Sequence, residues 1–291
     1  MQIRRKPHWL QKKVSPAAHA DMDRLLGSLQ LNTVCREASC PNISECFRQK
    51  QATFLIMGRE CTRGCSFCNV DRQTPAPLDP AEPARIAEAV VRLGLRHVVV
   101  TSPTRDDLPD GGACHYAATV TAIRGRSPGT AIELLIPDFQ GSRASLELVL
   151  SARPDILGHN IETVPRLYAI RAGADYRRSL ELLARSVELA PEIPAKSGIM
   201  LGLGENRDEV LATIADIRAT GCSYLSIGQY LAPSRRHTPV VEFIPPEEFD
   251  RLRDEALAMG YSHVESGPYV RSSYHADQYG GMDRPLTQTA G

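Results

Sequence analysis

The chain has 291 residues, and its 34 lysines and arginines balance its 34 aspartates and glutamates, so its charge gives no reason to expect a nucleic-acid or membrane partner. This length is enough for one large domain or two ordinary ones, with a substantial core either way. Eight cysteines in a chain too long to need disulfide staples point to metal or redox chemistry, and six of them fall between positions 35 and 68.

In chain order, the basic residues Arg4, Arg5, Lys6, Lys12 and Lys13 are followed by no apolar h-region, so no signal peptide is expected. Met22, Leu25, Leu26 and Leu29 are spaced for a short amphipathic helix. Cys35, Cys40 and Cys46 come next at spacing C-x4-C-x5-C, which alone also suits zinc or disulfides. After the apolar run Thr53 to Met57 comes the second triplet, Cys61-Thr-Arg-Gly-Cys65-Ser-Phe-Cys68. Three thiolates on one short loop suit a [4Fe-4S] cluster that leaves one iron open to a cofactor or substrate. Structural zinc takes four ligands, and the loop has no fourth Cys or His. Gly64 lets the backbone turn tightly between the thiols. Cys114 and Cys222 stand apart and read as ordinary buried thiols.

From Thr53 onward, apolar runs alternate with helical patterns, the signature of βαβ units and a parallel sheet. Strands are expected at Thr53 to Met57, His97 to Thr101, Ala131 to Ile136, Asp155 to His159, Ser197 to Leu201 and Tyr224 to Gly228. Asp79-Pro80-Ala81-Glu82 has the start signals of the first intervening helix, with Asp79 as cap and Glu82 at N3. Others are expected over Gly112 to Arg124, Arg143 to Ser151, Tyr176 to Leu189, Arg207 to Ala219 and Pro246 to Met259. The chain carries no dinucleotide fingerprint, so the fold class is α/β, a partial (βα)6 barrel of the TIM type. Residues 1–50 and 261–291 read as extensions flanking a barrel of residues 51–260. No run approaches the ~18 apolar residues of a membrane span, because Arg92, Arg96 and His97 break the longest, and the protein reads as soluble and cytoplasmic. Barrel chemistry sits on loops at the carboxyl ends of strands. Polar residues gather there: Ser102 and Asp110-Gly111-Gly112, Asp138, His159-Asn160 with Glu162, and Gln229.

The C-x3-C-x2-C loop after a first strand resembles the radical S-adenosylmethionine (radical SAM) superfamily. Together with the earlier triplet and the late Arg271-Ser272-Ser273-Tyr274, it resembles the lipoyl synthase family within that superfamily. The resemblance runs from Cys35 to Tyr274 and implies two [4Fe-4S] clusters. One, on Cys61, Cys65 and Cys68, binds S-adenosylmethionine through its open iron; the other, auxiliary, is held by Cys35, Cys40, Cys46 and Ser273. It further implies that Asp110, Gly111 and Gly112 hold the amino group of S-adenosylmethionine, with Ser102 nearby, and that Gly198 and Gly202 in the stretch ending at Glu205 pass its adenine. The implied reaction inserts two sulfur atoms into an octanoyl chain carried on a protein lysine. An electron from the first cluster cleaves S-adenosylmethionine, the 5'-deoxyadenosyl radical takes hydrogen from the chain, and the carbon radical attacks a sulfide of the second cluster. The implied partners are octanoylated lipoyl carrier domains (2-oxoacid dehydrogenase E2 or glycine cleavage H protein), an electron donor such as ferredoxin or flavodoxin, and an iron-sulfur assembly carrier. Asp138, His159, Asn160 and Glu162 are candidates for gripping the octanoyl-lysine by position alone. Two other readings are an iron-sulfur electron carrier, which needs no barrel with an open cluster, and a biotin-synthase-like enzyme, against which the R-S-S-Y tail argues.

Overall fold

The computed structural model describes residues 6–11, 20–38, 40–48, 51–274 and 276; Arg4, Arg5, Lys12, Lys13, His275 and the tail from 277 lie outside them. Among the described residues one sheet runs in chain order: β1 Asn32–Thr33, β2 Thr53–Leu55, β3 His97–Thr101, β4 Ala131–Leu135, β5 Ile156–Gly158, β6 Ala195–Leu201, β7 Tyr224–Gln229 and β8 His263–Gly267. β1 pairs antiparallel with β2, and β2 to β8 are parallel. β1 and β8 are the two edges, so the barrel is partial. The helices are α1 Ala20–Ser28, α2 Val34–Glu37, α3 Ile43–Arg48, α4 Glu82–Leu93, α5 Ala113–Arg126, α6 Arg143–Ser151, α7 Tyr176–Leu189, α8 Arg207–Ala219 and α9 Pro246–Ala258. No helix of the described residues is long and apolar enough to cross a membrane.

All six expected strands are present. Two more join them, and both lacked the apolar alternation that marks a strand: β1 has two residues, and β8 reads His-Val-Glu-Ser-Gly. The sheet therefore continues into the segment from 261 onward that the sequence assigned to an extension. The start of α4 also differs from expectation. Asp79 caps the turn ahead of the helix by accepting from the Ala81 amide, and Ala81 is the N-cap. Glu82 is instead buried, and its Oε2 accepts from the Met57 amide at 2.8 Å and contacts His115 Nε2 at 2.7 Å. It pins the end of β2, from which the second thiol loop departs.

Successive strand residues face opposite sides of a sheet. Val98, Val100, Ile132 and Leu134 pack with Ile86 and Val90 of α4, while Leu225 and Ile227 pack with Ile214, Phe249 and Leu252 of α8 and α9. The alternate residues face the barrel interior. At its floor these are polar, although such barrels are usually filled with branched apolar side chains. Glu133 and Lys196 are fully buried there and form an ion pair at 2.9 Å.

Candidate functional site

The loop carrying Cys61, Cys65 and Cys68 leaves the carboxyl end of β2 and is tied to three other segments of the fold. The Cys61 amide donates to Asp71 O at 2.7 Å, Thr62 to Thr104 O at 3.0 Å and Ser66 to Ile170 O at 2.9 Å. Arg63, between the first two thiols, is the strongest anchor. Its guanidinium takes Asp106 through Nε (2.6 Å) and Nη2 (2.9 Å), and Asp138 through Nη2 (2.7 Å) and Nη1 (3.0 Å). Arg178 meets Asp138 from the other side at 2.8 Å. Burial opposes the charge on Asp138, but Arg63 wins and holds that carboxyl well below the usual carboxylate range. Asp138, proposed from the sequence as a substrate contact, is thus engaged in positioning the thiol loop. Arg63 was not singled out from the sequence, because its carboxylate partners lie 43 and 75 residues away.

At Asp110-Gly111-Gly112 both glycines are left-handed, with φ of +61° and +90°. A Cβ on Gly112 would lie 2.3 Å from Met57 Sδ, and one on Gly111 would lie 2.8 Å from Phe139 Cδ1. Asp110 accepts from the amides of Gly112 (2.9 Å) and Cys114 (2.7 Å), so it builds the turn. Although burial works against it, those amides keep the carboxyl below its ordinary range. Gly112→Ala is expected to cost about 1–3 kcal/mol of stability, read from chemical denaturation, since it combines backbone strain with a clash at Met57. Ser102 Oγ accepts from the buried Tyr116 hydroxyl at 2.9 Å. At Gly198 a Cβ would meet Ser226 Oγ and Asn160 Oδ1, and at Gly202 it would meet Gln229 Nε2 and Glu242 O, so both glycines make room for protein atoms. Gln229 Nε2 donates to Leu201 O, Tyr230 O and Glu242 O, closing the strand end around Gly202.

His159 and Glu162 lie at the carboxyl end of β5. His159 Nδ1 donates to Ile136 O at 2.9 Å, leaving Nε2 as a buried acceptor without a partner. Burial, reinforced by Arg171, pushes this imidazole down to about 4, so it is neutral. Glu162 sits at φ +71°, and burial raises its carboxyl against the pull of Arg171.

The first triplet forms a separate site. Pairing of β1 with β2 sets Asn32 opposite Leu55 and Thr33 opposite Phe54, so the chain enters α2 with Cys35 beside the start of β2. One cavity is lined by Cys35, Cys40, Cys46 and Ser273, with Arg271 and His97 on its wall. Thr53 Oγ1 donates to Ser273 Oγ at 2.7 Å, tying the tail to the first residue of β2. The tail reaches this point through the barrel. Val270 O takes the space a Cβ on Gly228 would fill, and Ser272 Oγ donates to Asn160 Oδ1 at 3.1 Å. Tyr274 Oη donates to Glu45 Oε1 at 3.1 Å and Asn42 Nδ2 to Tyr269 O at 2.7 Å, so the tail is stapled to the segment bearing the thiols. This cavity lies at the amino-terminal halves of β2 and β3, whereas the sequence placed all strand-end chemistry at the carboxyl side.

The donor chemistry fits iron-sulfur clusters. Burial pushes the Cys35 thiol up to about 11 and Cys68 up to about 12, and it raises Cys65 against the pull of Arg171. Such thiols stay protonated until a metal takes their place, so loading either site releases protons. Arg271, a half-buried cation, lines the cavity of the three thiols. A thiolate-bound cluster in this cavity would give that guanidinium a counter-charge. No three Cys, His, Asp or Glu side chains of the described residues converge tightly enough for a single ion, whereas a four-iron cube takes one ligand at each separate corner.

Residues 55–217 match the model of the radical SAM superfamily. A lipoyl synthase of Geobacter metallireducens is 69% identical over 97% of this chain and 100% of its own, and one of Geobacter sulfurreducens is 68% identical over 98% and 94%. Among solved structures, Streptococcus suis SuiB bound to S-adenosylmethionine superposes with a TM-score of 0.57 at 11% identity, covering 86% of this chain and 60% of that one. Methylornithine synthase (PylB) superposes with a TM-score of 0.54 at 16% identity over 96% of this chain and 85% of its own, a likeness of fold. Superfamily match, full-length identity and paired thiol sites agree: the chain belongs to the radical SAM superfamily and, within it, to the lipoyl synthase family.

Proposed function

We propose that the chain binds two [4Fe-4S] clusters, one on Cys61, Cys65 and Cys68 with an iron open to S-adenosylmethionine, and one on Cys35, Cys40, Cys46 and Ser273 that donates sulfur. The observation that carries this reading is the single cavity shared by three thiols, the Ser273 hydroxyl and Arg271. As a lipoyl synthase the chain is a radical SAM sulfurtransferase, which inserts two sulfur atoms into a protein-bound octanoyl chain to make lipoyl. When bound, the clusters and S-adenosylmethionine supply the electron, the hydrogen-abstracting radical and the sulfur, none of which a side chain offers.

The chain's own residues position these groups. Arg63 fixes the thiol loop against β3 and β4 through Asp106 and Asp138. Asp110 shapes the Gly111-Gly112 turn, whose backbone would hold the amino group of S-adenosylmethionine. Ser102, Gly198 and Gly202 shape the rest of that site. Asn160, by accepting from Ser272, holds the tail that presents Ser273 to the other cluster. His159, whose Nε2 has no partner, is the candidate acceptor for the octanoyl-lysine amide. The division into residues 1–50, 51–260 and 261–291 assigns the two ends to the auxiliary cluster. Octanoylated 2-oxoacid dehydrogenase E2 domains or glycine cleavage H protein are the substrates, with a ferredoxin or flavodoxin donor, an iron-sulfur carrier and a cytoplasmic setting.

Ser273 is a weaker, harder partner for iron than thiolate, which eases release of that corner. The test is anaerobic turnover of an octanoylated carrier peptide with S-adenosylmethionine and reductant. The parent is expected to yield a product with two added sulfur atoms. Ser273→Cys is expected to bind the same iron yet form product about tenfold or more slowly. Full product formation by that variant would remove weak ligation from the account.

A further inference from the structure

The floor of the barrel holds a polar group that neither thiol site explains. His97 opens β3, and its side chain is 5% exposed. Its ring lines the same cavity as Cys35, Cys40, Cys46 and Ser273. Neither ring nitrogen has a hydrogen-bond partner. Nε2 lies 3.3 Å from Glu133 Oε2, off the alignment of a hydrogen bond, and that oxygen is unpartnered too. Glu133 gives its other oxygen to Lys196 Nζ at 2.9 Å, and neither residue is exposed. Buried polar atoms are rarely left unpaired. Here the unpaired nitrogens belong to a residue on the wall of the cavity proposed to hold a cluster.

We propose that His97 is a positioning residue of the auxiliary site: its ring donates a hydrogen bond to sulfur of the cluster held by Cys35, Cys40, Cys46 and Ser273. The Glu133 carboxylate, held by Lys196 and 3.3 Å from Nε2, packs against the ring without taking its hydrogen bond, so a ring N–H stays available to the cavity. Hydrogen bonds to cluster sulfur are among the factors that set its reduction potential. A donor at this wall stabilises negative charge on sulfur, and so holds the cluster together until it is used. This inference rests on the two-cluster reading above.

The experiment uses the full-length chain, reconstituted anaerobically, in a Cys61→Ala/Cys65→Ala/Cys68→Ala background so that only the auxiliary cluster is read. His97→Phe keeps a ring of similar shape without a donor, and His97→Gln keeps an N–H. Expected for His97→Phe is iron loss to a chelator about 10–100-fold faster than the background, with a lower midpoint potential in a titration followed by electron paramagnetic resonance. His97→Gln should recover part of both. Unchanged release rate and potential in His97→Phe overturn the proposal, as does His97→Gln behaving like His97→Phe. A second measurement needs no substitution at His97: with 15N-histidine in the background chain, a weak nitrogen hyperfine coupling is expected at the reduced cluster, and its absence overturns the proposal. Failure of the two-cluster reading looks different, because the background chain would then bind no iron at all.

Discussion

A Cys35→Ala/Cys40→Ala/Cys46→Ala variant, reconstituted anaerobically, is expected to carry about four irons where the parent carries about eight. It should still cleave S-adenosylmethionine, yet form no sulfur-bearing product from an octanoylated peptide. The reason is that the two thiol sets occupy different parts of the fold. Cys61, Cys65 and Cys68 sit on a loop leaving the carboxyl end of β2, tied to Asp71, Thr104 and Ile170. Cys35 and Cys40 reach the other cavity through β1, α2 and the turn after it, with Cys46 on α3. Removing Cys35, Cys40 and Cys46 therefore spares the anchors of the Cys61 loop. Iron and sulfide analysis checks the stoichiometry, and mass spectrometry of the peptide checks the product. About four irons in both proteins would mean that the cavity at Cys35 holds no cluster, and the sulfur source would have to be sought elsewhere.

Replacing Arg63 with Met is expected to cost about 3–5 kcal/mol of stability and to weaken iron binding at the Cys61 loop sharply. The side chain is 7% exposed and Asp138 is wholly buried, so the substitution leaves a buried carboxylate with Arg178 as its remaining cation. Asp106 loses both of its hydrogen bonds to Arg63, and the loop loses its guanidinium tie to Asp106 and Asp138 while keeping the contacts of Thr62. Arg63→Lys should rescue little, because a single ammonium cannot span two carboxylates in paired contacts. Denaturant unfolding of the apoprotein reads the stability, and the charge-transfer absorbance of the variant lacking the first thiol triplet reads the cluster. An Arg63→Met protein that loads and unfolds like the parent would show that the thiol loop is held by its backbone contacts alone.

The αβ alternation was legible because strand and helix patterns are local, and the six runs read as strands are strands in the structure. β8 was not legible, since its His263, Glu265 and Ser266 break the apolar pattern and it is a strand only by pairing with β7. Glu82 shows the same limit. By spacing it is a helix-start residue, but its carboxylate reaches back to Met57, 25 residues earlier. The resemblance implies that Gly198 and Gly202 pass the adenine, and only the structure shows that Asn160, Ser226, Gln229 and Glu242 stand where their side chains would have been.

What the sequence by itself determined is the chemistry available: two thiol triplets at definite spacings, a late serine, and a βα body long enough to enclose them. Spacing within a loop is a local property and survives without coordinates. Only the tertiary structure decided which groups meet. It brought Ser273 to Thr53 across 220 residues, threaded the tail past Gly228 and Asn160, locked Arg63 between two distant aspartates, and set His97 against the cavity of the first triplet. Those encounters depend on strand order and on which face each strand residue presents, and a one-residue change of register would have sent Thr53 and His97 to the other face of the sheet.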